Sequence, residues 1–143
     1  MALSKLEQLY RQVIVDHSSH PHHYGDMTDP TQAVELHNPS CGDLIEVQVK
    51  LMEDHIQDIR FSGSGCTISR ASASMMTDLM KGKTIAEARQ LINAFSLMMQ
   101  GTPPQQEEIF GDAMMLQTVS KFPARIKCAT LAWKALEKTL EPA

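Results

Sequence analysis

The run Asp43-Leu44-Ile45-Glu46-Val47-Gln48-Val49-Lys50-Leu51 decides the fold class. Ile45, Val47, Val49 and Leu51 alternate with Leu44, Glu46, Gln48 and Lys50, as in a strand with one buried face. Glu53-Asp54-His55 can turn the chain, and a second alternating run sets Ile59 and Phe61 opposite Asp58, Arg60 and Ser62. The two runs predict an antiparallel hairpin, and residues 33–37 supply a third, short strand upstream.

Outward from the hairpin the period becomes helical. Ser4-Lys5-Leu6-Glu7 reads as a capping box, in which hydroxyl and carboxylate each satisfy a backbone N–H. Leu6, Leu9, Tyr10, Val13 and Ile14 then share one apolar face, and the helix should fade by His17, before Ser18-Ser19 and Pro21. Residues 67–80 predict a second helix, halted by Gly82. Thr84-Ile85-Ala86-Glu87 is another capping box, opening a helix whose Ile85, Ala88, Leu91, Ile92, Phe95, Met98 and Met99 share a face and which Gly101, Pro103 and Pro104 end. Ile126, Ala129, Trp133, Leu136 and Leu140 stripe a last helix. Strands first and helices afterwards predict an α+β fold, a small antiparallel three-stranded sheet with helices packed on one side.

The 143 residues make one domain, with 43% hydrophobic and 21% charged residues, close to globular averages. A net charge of −4 argues against a nucleic-acid partner. No apolar run approaches the roughly 20 residues of a membrane span, and the charged start lacks a signal-peptide core. Three cysteines without an export signal suggest a cytoplasmic protein whose thiols stay free or bind metal rather than form disulfides.

Those thiols carry the chemistry. Cys41 follows Asn38-Pro39-Ser40, Cys66 ends Gly63-Ser64-Gly65, and Cys128 sits between Arg125-Ile126-Lys127 and the last helix's stripe. Turns, helix starts and positive charge favour reactive or metal-binding thiolates over core cysteines. Cys41 precedes one strand and Cys66 follows its partner, so the hairpin brings both to one end of the sheet. Cys128 is permitted beside them. Three thiolates and a fourth ligand complete a tetrahedral zinc site, and Asp43 is the best local fourth. Without a CxxC pair the spacing alone is a weak motif. Gly63 and Gly65 either form a turn or let the backbone approach a metal or an incoming sulfur.

Cys41-Gly42-Asp43-Leu44 with its hairpin, Arg60-Phe61, Gly65-Cys66 and Lys81-Gly82-Lys83 resemble the iron–sulfur cluster assembly proteins of the IscU/NifU-N family. Val15-Asp16-His17, Pro21, and Cys128 with Leu131-Ala132 extend the resemblance over nearly the whole chain. It implies a SufE/NifU-like α+β fold that gathers the cysteines at one tip, with a cysteine desulfurase as sulfur donor. Many family members carry a histidine before the third cysteine, where this chain has Lys127, a poor ligand. A segment of about residues 97–120 is inserted before that cysteine. Both features are similar to the SufU branch, which is associated with zinc and sulfur transfer. The resemblance then implies Cys41, Asp43, Cys66 and Cys128 as zinc ligands. Phe122-Pro123-Ala124-Arg125-Ile126 keeps one proline where the family presents a proline-rich segment to an Hsp70-type chaperone, so chaperone docking is not carried over.

The function expected is that of a zinc-dependent acceptor of persulfide sulfur, with Cys41 as attacking thiolate and Arg125 as a partner for Asp43 outside the metal's own ligands. The alternative is a scaffold on which Cys41, Cys66 and Cys128 hold a [2Fe–2S] cluster for iron–sulfur apoproteins or other assembly factors. The first is a sulfurtransferase-like carrier, the second a non-catalytic scaffold, and thiolates suit either metal. A third reading is a stabilising zinc domain without sulfur chemistry. His17, His20, His22 and His23 form a dense cluster able to bind metal, and its plainer reading is a polar loop or part of a docking surface. The ten methionines, including Met75-Met76, Met98-Met99 and Met114-Met115, read as core filling.

Overall fold

The structure, a computed structural model, describes residues 5–39 and 42–141. Its elements run α1 (Lys5–Ser19), β1 (Gln32–Asn38), β2 (Asp43–Met52), β3 (His55–Ser64), α2 (Thr67–Met80), α3 (Ile85–Met99), a 3-10 segment (Glu107–Lys121) and α4 (Pro123–Thr139). The sheet is antiparallel, ordered β1-β2-β3. Val47 faces Val34 on one side and Phe61 on the other. The alternation works as its period requires. Ile45, Val47, Val49, Ile59 and Phe61 have no exposed surface, and α2 and α4 cover them.

Behind the sheet, Phe95 of α3 stacks on Trp133 of α4 at 3.9 Å and 4°, and Phe110 tilts against Phe95 from the 3-10 segment. Met75, Met76, Met80, Met98 and Met99 fill the spaces around them. Full burial of such side chains contributes about 1.5–3 kcal/mol each. The capping box at Thr84 is formed, with Glu87 N–H donating to Thr84 Oγ1 at 3.1 Å and Thr84 N–H donating to Glu87 Oε1 at 3.0 Å. Ser4, the cap proposed for α1, lies outside the described residues.

Three details depart from the pattern. Helix α1 continues to Ser19, because Ser18 and Ser19 only weaken a helix and Pro21 acts beyond them. Leu6 and Leu9 are 57% and 55% exposed, whereas Ile14 and His17, farther along α1, are buried. Gln48, on the polar side of β2, is 7% exposed. The loop after α1 runs from the edge of β3 across it to the head of β1, and Met27 N–H donates to Gln48 Oε1 at 2.6 Å. Among the described residues no helix is long and apolar enough to cross a membrane.

Candidate functional site

The hairpin register places the site. Leu44 pairs with Ser64, so Asp43 at the start of β2 meets Cys66 just past the end of β3. Asp43 is 1% exposed, and its Oδ1 accepts the backbone N–H of Cys66 at 2.9 Å. The other oxygen, Oδ2, is buried without a hydrogen-bond partner. An orphaned buried acceptor costs about 1–3 kcal/mol and calls for a missing ion or water.

Cys66 is the N-cap of α2, at φ −75° and ψ 173°, and its side chain makes no capping bond. Its sulfur is half-buried at the head of α2, beside the amides of the first turn. Helix α4, packed on β1 and β2, delivers the third member. Cys128 lies in the second turn of α4 and is 1% exposed, deeper than its flanking Arg125 and Lys127 suggest. One donor atom each from Asp43, Cys66 and Cys128 lies within 4.8 Å of the other two.

The surroundings hold these groups in place. Asn38 ends β1 in register with Asp43, and its Nδ2 donates to Cys128 Sγ at 3.8 Å. Ser69 Oγ donates to the Cys66 carbonyl at 3.1 Å. Gly65 passes so close over the carboxylate that an added Cβ would stand 2.9 Å from Asp43 Oδ1 and collide with Ser69 Oγ. Gly63, at φ +118°, leaves no room for a Cβ against the Leu44 carbonyl. Both glycines therefore do more than turn the chain: they bring β3 and the start of α2 over Asp43.

Of the residues singled out from the sequence, Asp43, Cys66 and Cys128 converge. Cys41 lies outside the described residues, and Gly42 N–H beside it donates to the Asn38 carbonyl at 2.8 Å. Arg125 is exposed and makes no bond to Asp43 Oδ2. It lines an open groove with Tyr10, Ile14, Thr67 and Phe122, between α1 and the start of α4. Asn38 and Ser69 were missed as supporting residues. Strand register would have located Asn38 opposite Asp43, whereas Ser69 had no distinguishing signal.

Comparison with known proteins places this geometry. The model of the NifU-like N-terminal domain matches residues 9–138. The chain is 52% identical over 141 residues to the iron–sulfur cluster assembly scaffold protein IscU of Streptococcus pyogenes, covering 99% of this chain and 88% of that protein. It is also 52% identical over 135 residues to the zinc-dependent sulfurtransferase SufU of Bacillus subtilis, covering 94% and 91%. The crystal structure of a candidate iron–sulfur cluster assembly scaffold protein for the SUF system from Fervidobacterium islandicum superposes with a TM-score of 0.87 at 32% identity, over 94% and 98% of the two chains.

Proposed function

The chain belongs to the NifU-like N-terminal domain family, and on that premise we propose that it serves iron–sulfur cluster biogenesis as a zinc-dependent acceptor of persulfide sulfur from a cysteine desulfurase. The observation that carries the reading is the unpartnered Oδ2 of Asp43 beside Cys66 and Cys128. With Cys41 these residues form a three-sulfur, one-oxygen donor set that fits zinc. Zinc, when bound, would hold the sulfurs as thiolates and shield them from oxidation.

The chain's own part is positioning and attack. Asp43 keeps one oxygen on the Cys66 amide and turns the other inward, while Asn38 orients Cys128. Cys41 is assigned the attack. Its thiolate bonds to the outer sulfur of the donor persulfide, the donor's S–S bond breaks, and the electron pair leaves on the donor cysteine. No net oxidation occurs. Arg125, exposed near the start of α4, is assigned the pairing with anionic charge that arrives with the donor.

The similarity to the streptococcal scaffold supports a second reading, in which Cys41, Cys66 and Cys128 hold a [2Fe–2S] cluster passed on to apoproteins. Visible absorption of anaerobically purified protein separates the two readings. The sulfur-acceptor reading is tested by sulfide and alanine release from the desulfurase in the presence of Cys41→Ala. Loss of stimulation is expected, and full stimulation would remove Cys41 from the role.

A further inference from the structure

The loop after α1 builds a second cluster, farther along α2 from Cys66. His17, 4% exposed at the end of α1, meets Ser74 Oγ through Nδ1 at 2.7 Å and Asp112 Oδ2 through Nε2 at 3.0 Å. His22 Nδ1 meets Asp78 Oδ2 at 2.5 Å. His23 Nδ1 lies 3.0 Å from Thr77 Oγ1 and 3.4 Å from Asp78 Oδ1. The rings of His17 and His22 stand 4.5 Å apart, and one donor atom each from His17, His22 and Asp78 lies within 4.8 Å of the other two.

We propose that His17, His22 and Asp78 form a second cation site, selective for a divalent transition metal. Two imidazoles with a carboxylate suit zinc, ferrous iron or cobalt, whereas magnesium and calcium prefer oxygen donors throughout. Among the described residues Asp78 and Asp112 have only histidines as ion-pair partners, so with neutral imidazoles the cluster carries two uncompensated negative charges. Asp112 stands ready as a further carboxylate.

The frame is built before any ion arrives. Ser74 Oγ, which holds the His17 ring, also accepts the His22 N–H at 2.8 Å and so ties both imidazoles to α2. The loop is pinned to β3, with Phe61 N–H donating to the His23 carbonyl at 3.1 Å and Gly25 N–H donating to the Phe61 carbonyl at 2.9 Å. Between these anchors His23 holds φ 55°, a conformation that persists only where its surroundings fix it.

A carboxylate only accepts, so His17 Nε2 and His22 Nδ1 carry the protons that now bridge to Asp112 and Asp78. A cation replaces those bridges. Each ring's proton moves to its other nitrogen, and Ser74 turns from donor to acceptor for His17 Nδ1. Asp78 lies about 18 Å along α2 from Cys66, at about 1.5 Å per residue, so occupancy of one site leaves the other intact.

The test is reconstitution of metal-stripped protein with cobalt(II), reading bound metal per chain and the visible spectrum. Wild type should take up a second equivalent that adds no thiolate-to-cobalt charge transfer. Cys66→Ser should weaken the charge-transfer band but keep the thiol-free equivalent. His22→Asn and Asp78→Asn change half-exposed side chains, at 51% and 40% exposure, so the fold should survive each. Each should weaken the thiol-free equivalent tenfold or more with the charge-transfer band unchanged. A wild type that binds no thiol-free cobalt, or variants that bind it as tightly as wild type, would overturn the proposal. Absence of the charge-transfer band alone would count against the thiol site and leave this one standing.

Discussion

Asp43 Oδ1 accepts the Cys66 backbone N–H at 2.9 Å while Asp43 Oδ2, on the same buried carboxylate, has no partner. One oxygen fixes the side chain and the other is left for a ligand. This division predicts a trade-off. Asp43→Asn keeps an acceptor for the amide and removes a buried charge, so the metal-free protein should melt higher. The same change should lower zinc affinity roughly tenfold or more, because the amide is the poorer ligand. Thermal melts with and without zinc, beside a competition titration with a chelator, read both directions.

Asn38→Ala removes the donor to Cys128 Sγ. Losing such a supporting hydrogen bond typically costs metal affinity about 10–100-fold. The expected result is faster zinc loss to a chelator with an unchanged far-ultraviolet spectrum. An unchanged loss rate would show the 3.8 Å contact to be incidental.

Gly65→Ala drives a methyl group toward Asp43 Oδ1 and Ser69 Oγ. Zinc affinity should fall. Adding Ser69→Ala, which removes the first atom the methyl meets, should recover part of it. Equal affinity in wild type and Gly65→Ala would mean that the chain relaxes away from the carboxylate at no cost.

The capping box of α3 gives a pH-dependent prediction away from the site. Hydrogen bonds from the Thr84 backbone and side chain hold the Glu87 carboxyl below its ordinary value. A folded-state value below the unfolded one means that this stabilisation is present above the unfolded value and is lost as pH falls through the folded one. Thr84→Ala should destabilise the protein by about 1 kcal/mol at neutral pH. Glu87→Ala removes the titrating partner itself, so its deficit in urea unfolding should shrink as the medium is acidified.

How far the sequence revealed this molecule depended on whether the cause was local. Hairpin and α2 were legible because alternation, glycines and a change of period act within a few residues. The hairpin pattern predicts Cys66 at the end of the sheet where Cys41 precedes β2, and its register sets Asp43 against Cys66 at that end. Cys128 was only permitted there, since its arrival depends on how α4 crosses β1 and β2, which no local pattern encodes. The exposure of Leu6 and Leu9 and the burial of Gln48 likewise reflect tertiary choices: how much of α1 the core covers, and where a loop crosses the sheet. Asp78 and Asp112 gave no signal, being ordinary surface acids until the fold brings them to His22 and His17.

On the proposed reading Cys41, Asp43, Cys66 and Cys128 hold one ion jointly, and the metal content of the protein decides whether they do. Zinc per chain should be measured on protein first treated to strip weakly held metal, then repeated with each of the four residues changed to alanine. One tightly held zinc is expected in wild type, with that zinc lost, or held at least tenfold more weakly, in every variant. Retention of wild-type zinc by Cys66→Ala or Cys128→Ala would contradict it.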